Sequence, residues 1–296
     1  MSKEFKTSIE SLNRHYLSQI SDKSRRKAIK LKHKATTERA FVIRFNSKDG
    51  EAAFTKFEHD VNVVILNSEP KRKDKVYLVI HSPGGGVTAY ANAAQQIKRL
   101  RNHGLEVTGF IDEIAASGGY MMAAVCNKIV AQPFAFVGSI GVVSQVPIFE
   151  TLLTKLGVDV RTYTAGTHKR TVVPTKLPDA SSEAAFTDKL AEIHTAFKNH
   201  ILEYRPTINV DKLMEGDFYL AKNVIKEELV DVEGDSNTYI LNAFVNGVDI
   251  MEVKTSMKKK GGGLSKLFGV DNVLDSLIEK VSAKIAASIT FDRFIK

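Results

Sequence analysis

The stretch KVYLVIHSPGGGVTAYANAAQQIKRLRNHG, residues 75–104, limits the fold more than any other. Its first eight residues are rich in Val and Ile and read as a strand buried on both faces. Three glycines then break the chain. After them Tyr90, Ala93, Ala94, Ile97 and Leu100 recur at helical spacing, with Gly104 as the stop. A doubly buried strand that hands straight over to a helix requires parallel neighbours and helices on the sheet faces. The hand-over repeats at EVTGFID (106–112), followed by the turn AASGG and the helical YMMAAVCN. Further strand patterns fall at 40–45, 128–133, 136–143 and 158–166, and helical ones at 51–68, 148–157 and 181–206. A serine cap opens the last of these and Pro206 stops it. The alternation predicts an α/β fold with a mostly parallel sheet made of βαβ units and helical extensions at both ends.

Charge divides the chain into three. Residues 1–35 hold ten Lys and Arg against three acids, nearly all of the net +8. This segment reads as a basic, partly helical arm that suits an anionic surface or partner. No nucleic-acid-binding motif accompanies it, so no specific nucleic acid is expected. Residues 36–252 form the α/β domain. Residues 253–296 begin with the flexible joint KTSMKKKGGG and continue as an amphipathic helix with Val270, Leu274, Leu277, Val281 and Ile285 on one face. MSKEFKTSIE has no apolar core of a signal peptide. The apolar run 120–143 is interrupted by Lys128, Gln132 and Pro133, which favours buried helix and strand over a membrane span. The expectation is a cytoplasmic protein, or one peripheral to a membrane through its basic ends.

Cys126 is the only cysteine and sits among apolar residues, which predicts a buried, inert thiol and excludes a disulfide framework or a multi-cysteine zinc site. No metal or other cofactor is expected.

Two chemistries compete for the glycine loop. Gly84, Gly86 and Ala89 satisfy the dinucleotide pattern G-x-G-x-x-A, with Asp112 at the end of the next strand as the ribose acid. Alternatively, adjacent glycines let a substrate carbonyl approach backbone N–H groups closely, as an oxyanion hole requires. Ser117, lying between strand and helix in AASGG, is a candidate nucleophile there. Such a serine needs a base. None of the eight histidines has an evident acidic partner; His81 and His168 lie beside the candidate loops. A lysine is the other option. Exposed, with a pKa near 10.4, it is almost never neutral at pH 7, and burial in an apolar site lowers that value by about 3 units. With 42 Lys and Arg in the chain, composition cannot choose one.

SPGGGV (82–87), AASGGYMMA (115–123), GSIGVV (138–143) and TAGTHKRT (164–171) stand in order, with 22 residues from Ser117 to Ser139 and 30 from Ser139 to Lys169. Over residues 40–252 the chain resembles the SohB-like branch of the Ser–Lys signal-peptide peptidase (protease IV) family, in the ClpP/crotonase superfamily. The resemblance implies that 36–252 is a peptidase domain of that fold. It implies Ser117 as nucleophile, Lys169 as general base and Ser139 as the group that orients the lysine. Backbone N–H groups of Gly85 and Gly118 would form the oxyanion hole, and Gly86, Val87 and Ile140 would flank the substrate. Substrates would be extended apolar peptides such as signal-peptide or membrane-protein remnants. Short members of the family assemble as rings with Ser and Lys from neighbouring protomers.

Departures from the family pattern are the basic arm in place of an anchor, Glu228 where glycine is usual, and the His168 and Arg170 flanks of Lys169. A phage-type head-maturation protease is an alternative within the family. Outside it stand an acyl-CoA enzyme of the crotonase type, a nicotinamide-binding protein and a catalytically silent peptide-binding scaffold.

Overall fold

The computed structural model describes residues 5–166 and 168–257. Strand β1 (Phe5–Ser11) leads through helices α1 (Asn13–Ser18) and α2 (Lys23–Ala35) to β2 (Arg39–Asn46), α3 (Glu51–Asn67), β3 (Lys75–His81) and α4 (Val87–Asn102). β4 (Glu106–Ile111), β5 (Ile114–Ala116), α5 (Gly118–Ala124), β6 (Lys128–Ala131) and β7 (Phe136–Gly138) follow. The remainder comprises α6 (Glu150–Lys155), α7 (Ala180–Tyr204), α8 (Val210–Leu213), β8 (Phe218–Leu220), β9 (Val232–Glu233), α9 (Ser236–Val245) and β10 (Asp249–Met257).

Seven strands form one sheet in the order β1-β10-β2-β3-β4-β6-β9. The pairings of β2 with β10 and β3, of β4 with β3 and β6, and of β6 with β9 are all parallel. Alternate residues of each central strand serve opposite faces, as the pleat dictates. Phe41, Ile43 and Phe45 of β2, with Val76, Leu78 and Ile80 of β3, pack with α3, α4, α5 and α7 in one core. Ala40 and Val42, with Tyr77 and Phe110, pack on the other face against α9 through Ile240 and Phe244. A smaller sheet, β5-β7-β8, has β5 and β7 parallel and β8 antiparallel. This is the mostly parallel α/β architecture of the ClpP/crotonase type.

Residues 7–35 differ from the free arm that their charge suggests. Thr7–Ser256 form one compact unit. Ile29 of α2 is buried, and Leu12, Tyr16, Leu17 and Ile20 pack on the second core. Tyr16 and His33 both contact the ring of Phe244, at 5.1 and 4.8 Å between centroids. Six basic side chains of α2, from Lys23 to Lys34, remain exposed around this one apolar stripe. At the other end, β10 continues through Met257, so the joint expected from 254 begins as strand. The amphipathic helix expected beyond it lies outside the described residues.

Other expectations shift locally. The alternating run 158–166 forms no strand: it is exposed and has no ladder partner among the described residues. The strand at 136–143 stops at Gly138, whose φ of 95° turns the chain. Asp179, not a serine, caps α7 by accepting from the Ser182 N–H at 2.8 Å. Glu228 takes the left-handed conformation, φ 64°, and Thr207 Oγ1 donates to its carboxylate. Cys126 is buried, and burial pushes its thiol up to about 12. No helix among the described residues is long and apolar enough to cross a membrane.

Candidate active site

Parallel sheets gather functional loops at the carboxyl ends of their strands. Here β3 ends at His81, and Ser82 continues into a bridge with Ala115. The Ser82 N–H donates to the Ile114 carbonyl at 2.9 Å, and the Ala116 N–H donates to the Ser82 carbonyl at 3.0 Å. The glycine loop and the strand that delivers Ser117 are therefore stitched together one residue before each turns. β5 pairs with β7, matching Ala116 with Gly138, and the Ser117 N–H donates to the Gly138 carbonyl at 2.8 Å.

Ser117 is then forced round a sharp corner, with φ 50° and ψ −121°, into α5. A non-glycine residue held in that region costs on the order of 1–3 kcal/mol and persists only where its surroundings dictate it. Ser117 is half-buried while Ala115, Ala116, Gly118 and Gly119 around it are buried. The glycine loop lies directly against it. A β-carbon on Gly84 would stand 2.6 Å from Ser117 Cβ and 2.9 Å from the Gly118 nitrogen. A β-carbon on Gly118 would penetrate the ring of Tyr90. Among the described residues, neither the Gly85 nor the Gly118 N–H donates a hydrogen bond within the chain. Two unspent donors, one next to Ser117 in the chain and one on the glycine loop packed against it, are what a developing oxyanion needs.

Ser139 follows the partner strand β7. Its φ is 52°, and its N–H donates to the Asp217 carbonyl at 2.6 Å. Gly86 and Val87 are exposed at the start of α4. Ile140, expected beside the substrate, is fully buried in the core. Lys169 shares no hydrogen bond with these residues among those described. It lies in an exposed turn closed by its own N–H to the Gly166 carbonyl at 3.1 Å. Its ammonium makes no hydrogen bond or ion pair among the described residues. The segment that bears it is unusually apolar for exposed chain: Val143, Leu156, Tyr163 and Leu177 are 83%, 68%, 85% and 64% exposed.

The nearby histidines have structural partners. His194 Nε2 donates between the carbonyls of Ile140 (3.0 Å) and Met214 (2.8 Å), and His200 Nε2 donates to the Met121 carbonyl at 3.0 Å. His81 pairs with Glu113 at 3.4 Å and lines a cavity of about 430 Å³ with Lys48, Phe54, Tyr90 and the three loop glycines. Asp112, the acid of the dinucleotide pattern, accepts from the Ser236 N–H (2.9 Å) and from Ser236 Oγ (2.6 Å). Its carboxylate is engaged at the start of α9, which removes the main support for a ribose site.

Two family models match: the peptidase family S49 domain over residues 99–246 and the peptidase family S49 N-terminal region over 1–97. The chain belongs to peptidase family S49. Within this family it is SohB-like. It is 37% identical over 229 residues to a Haemophilus influenzae protein described as "Probable protease SohB", covering 77% of this chain and 63% of that one. Proteins of the same description from Buchnera aphidicola are 34% identical over 202 residues (subsp. Schlechtendalia chinensis; 68% of this chain, 66% of the relative) and 31% identical over 244 residues (subsp. Schizaphis graminum; 82% and 71%). The S49 chain thus spans a little under two thirds of the length of the first two relatives.

Proposed function

We propose that this S49 chain is a serine peptidase with a Ser–Lys dyad, cleaving extended apolar peptides such as signal-peptide or membrane-protein remnants. The observation that carries the reading is Ser117 itself: a strained, half-buried serine between β5 and α5, packed against the glycine loop, with the Gly85 and Gly118 N–H groups unspent. Ser117 Oγ attacks the peptide carbonyl carbon and its proton passes to the amine of Lys169. The carbonyl oxygen takes the negative charge and accepts from the Gly85 and Gly118 N–H groups. Collapse breaks the C–N bond, and the departing amine takes the proton back from Lys169. Water then adds to the acyl-enzyme with Lys169 as base again, which returns Ser117 to its hydroxyl form. Ser139 orients the lysine amine. The substrate lies as an added strand by the glycine loop, where Gly86 and Val87 are exposed.

Lys169 of a neighbouring protomer completes each site. The exposed apolar segment 143–177 supports this, since its burial in a homo-oligomeric ring would bring the Lys169 turn to a second copy's Ser117. The protein acts in the cytoplasm or at a membrane surface, to which the exposed lysines and arginines of α2 adhere.

The test is labelling with a fluorophosphonate and location of the label by mass spectrometry. Label on Ser117 that disappears in Ser117→Ala and in Lys169→Ala upholds the dyad. A well-folded oligomer that takes no label rejects it in favour of a peptide-binding scaffold.

A further inference from the structure

Tyr90 belongs to the buried stripe of α4 and is 2% exposed. Its ring meets Phe54 edge-on at 5.0 Å and Phe45 at 6.3 Å between centroids, so it cannot turn. Its hydroxyl has two neighbours. It donates to the Gly84 carbonyl at 3.0 Å, and it lies 2.5 Å from Ser82 Oγ. A phenol has one proton. With that proton on the Gly84 carbonyl, Ser82 must donate to Tyr90 Oη. The lone pairs of Ser82 Oγ then accept from the Gly84 N–H at 3.1 Å. The result is a closed cycle in which every hydroxyl both donates and accepts, an arrangement in which each bond strengthens the next.

The cycle holds Gly84 by both its N–H and its carbonyl. That carbonyl belongs to the Gly84–Gly85 peptide, which is trans and planar. Its C=O and N–H therefore point in opposite directions, and fixing one fixes the other. The peptide needs fixing: it is flanked by two glycines with φ of 103° and 154°, for which the flipped orientation meets little steric resistance. Flipped, it would put a carbonyl oxygen on the side to which the Gly85 N–H, one of the two donors of the proposed oxyanion hole, now points. The same ring also packs against Gly118, the second donor, and against Gly85.

We infer that Tyr90 is a positioning residue whose hydroxyl, through Ser82 and Gly84, locks the Gly84–Gly85 peptide in the orientation that aims the Gly85 N–H at the oxyanion. For its kinetic consequence this rests on the serine peptidase reading above; the orientation of the peptide does not.

The experiment is Tyr90→Phe, which keeps the ring and its packing and deletes the cycle. Four measurements go together: peptide hydrolysis, affinity for a peptide boronate, affinity of the substrate peptide for the same variant on a Ser117→Ala background, and a crystal structure. We expect kcat to fall about ten- to a hundredfold with KM within about twofold. Boronate affinity should fall by a similar factor, substrate affinity should hold, and the Gly84–Gly85 peptide should be flipped or mixed. Unchanged kcat with an unchanged peptide overturns the inference. So does a loss of substrate affinity that accounts for the whole defect, since that is packing and not aim. If wild type neither labels nor turns over, the peptidase reading fails, and the crystal structure alone decides: a flipped peptide upholds the lock and an unmoved one ends it. Should Tyr90→Phe not fold, Ser82→Ala opens the cycle from its other side, and the same readings apply with a smaller loss of kcat.

Discussion

Ser117 and Ser139 leave two hydrogen-bonded parallel strands at the same level, each with a left-handed backbone: φ is 50° in one and 52° in the other. Neighbouring strands run about 5 Å apart, so the two side chains emerge as a pair. Both residues carry backbone strain that glycine would not. Replacing either with glycine should raise thermal stability, by up to about 1–2 kcal/mol each, since the left-handed penalty disappears. Turnover should be lost in Ser117→Gly and fall at least tenfold in Ser139→Gly. Calorimetric melts beside peptidase assays check both, and a destabilised Ser117→Gly would mean the strain is not there.

Gly84 is the point where the two loops touch. Gly84→Ala places a methyl group 2.6 Å from Ser117 Cβ, against backbone on two further sides. Something must shift, and the shift falls on the nucleophile and on the Gly118 N–H. The expected result is loss of fluorophosphonate labelling together with destabilisation of at least about 2 kcal/mol, read by urea titration.

The proposed sharing of the dyad between subunits makes a prediction that needs no structure of the oligomer. Ser117→Ala and Lys169→Ala should each be inactive, but a mixture of the two, unfolded and refolded together, should regain activity. Sites that pair an intact serine from one chain with an intact lysine from the other would form in the mixed rings. Leu156→Asp, on the exposed segment, should reduce both assembly in the ultracentrifuge and turnover without lowering the melting temperature of the monomer.

Asp60 supplies a pH dependence. It is buried on α3, where Thr255 Oγ1 of β10 donates to its carboxylate at 2.5 Å. Burial raises its pKa to about 6, against the opposing effects of Thr255 and Lys56. A carboxyl with a raised pKa stabilises the fold most below its unfolded value near 4, and that contribution is lost as pH rises through about 6. Asp60→Asn should therefore be more stable than wild type at pH 7.5, by on the order of 2 kcal/mol, and about equal to it at pH 4. Chemical denaturation at the two pH values measures this directly.

The doubly buried strands were easy to read because their faces leave little choice: β2 and β3 need apolar residues at nearly every position, and the sequence supplies them. The run 158–166 shows how the same signal misleads. Val-Asp-Val-Arg alternates as a strand should, yet pairing requires a partner edge, and alternation carries no information about one. Residues 7–35 failed in the opposite way. Lysines and arginines dominate their charge, while a single buried Ile29 and a few half-buried apolar residues decide where they pack. At the site, Ser117 and the glycines were legible because strand–turn–helix signals bracket them. Lys169 came only from the family resemblance. Tyr90 was visible as one more apolar position on α4; the cycle its hydroxyl closes joins residues on a strand end, a loop and a helix, and no local pattern encodes that.

β10 lies between β1 and β2, with Asp249 beside Arg39. During synthesis β2 leaves the ribosome some two hundred residues before its neighbour exists. Throughout that interval one side of a central, apolar strand has open N–H and C=O groups, the kind of edge that captures strands from other molecules. The sheet can be completed only after translation has passed residue 249, so this chain cannot finish folding as it emerges. Its yield in a cell will depend on what shields that edge in the meantime.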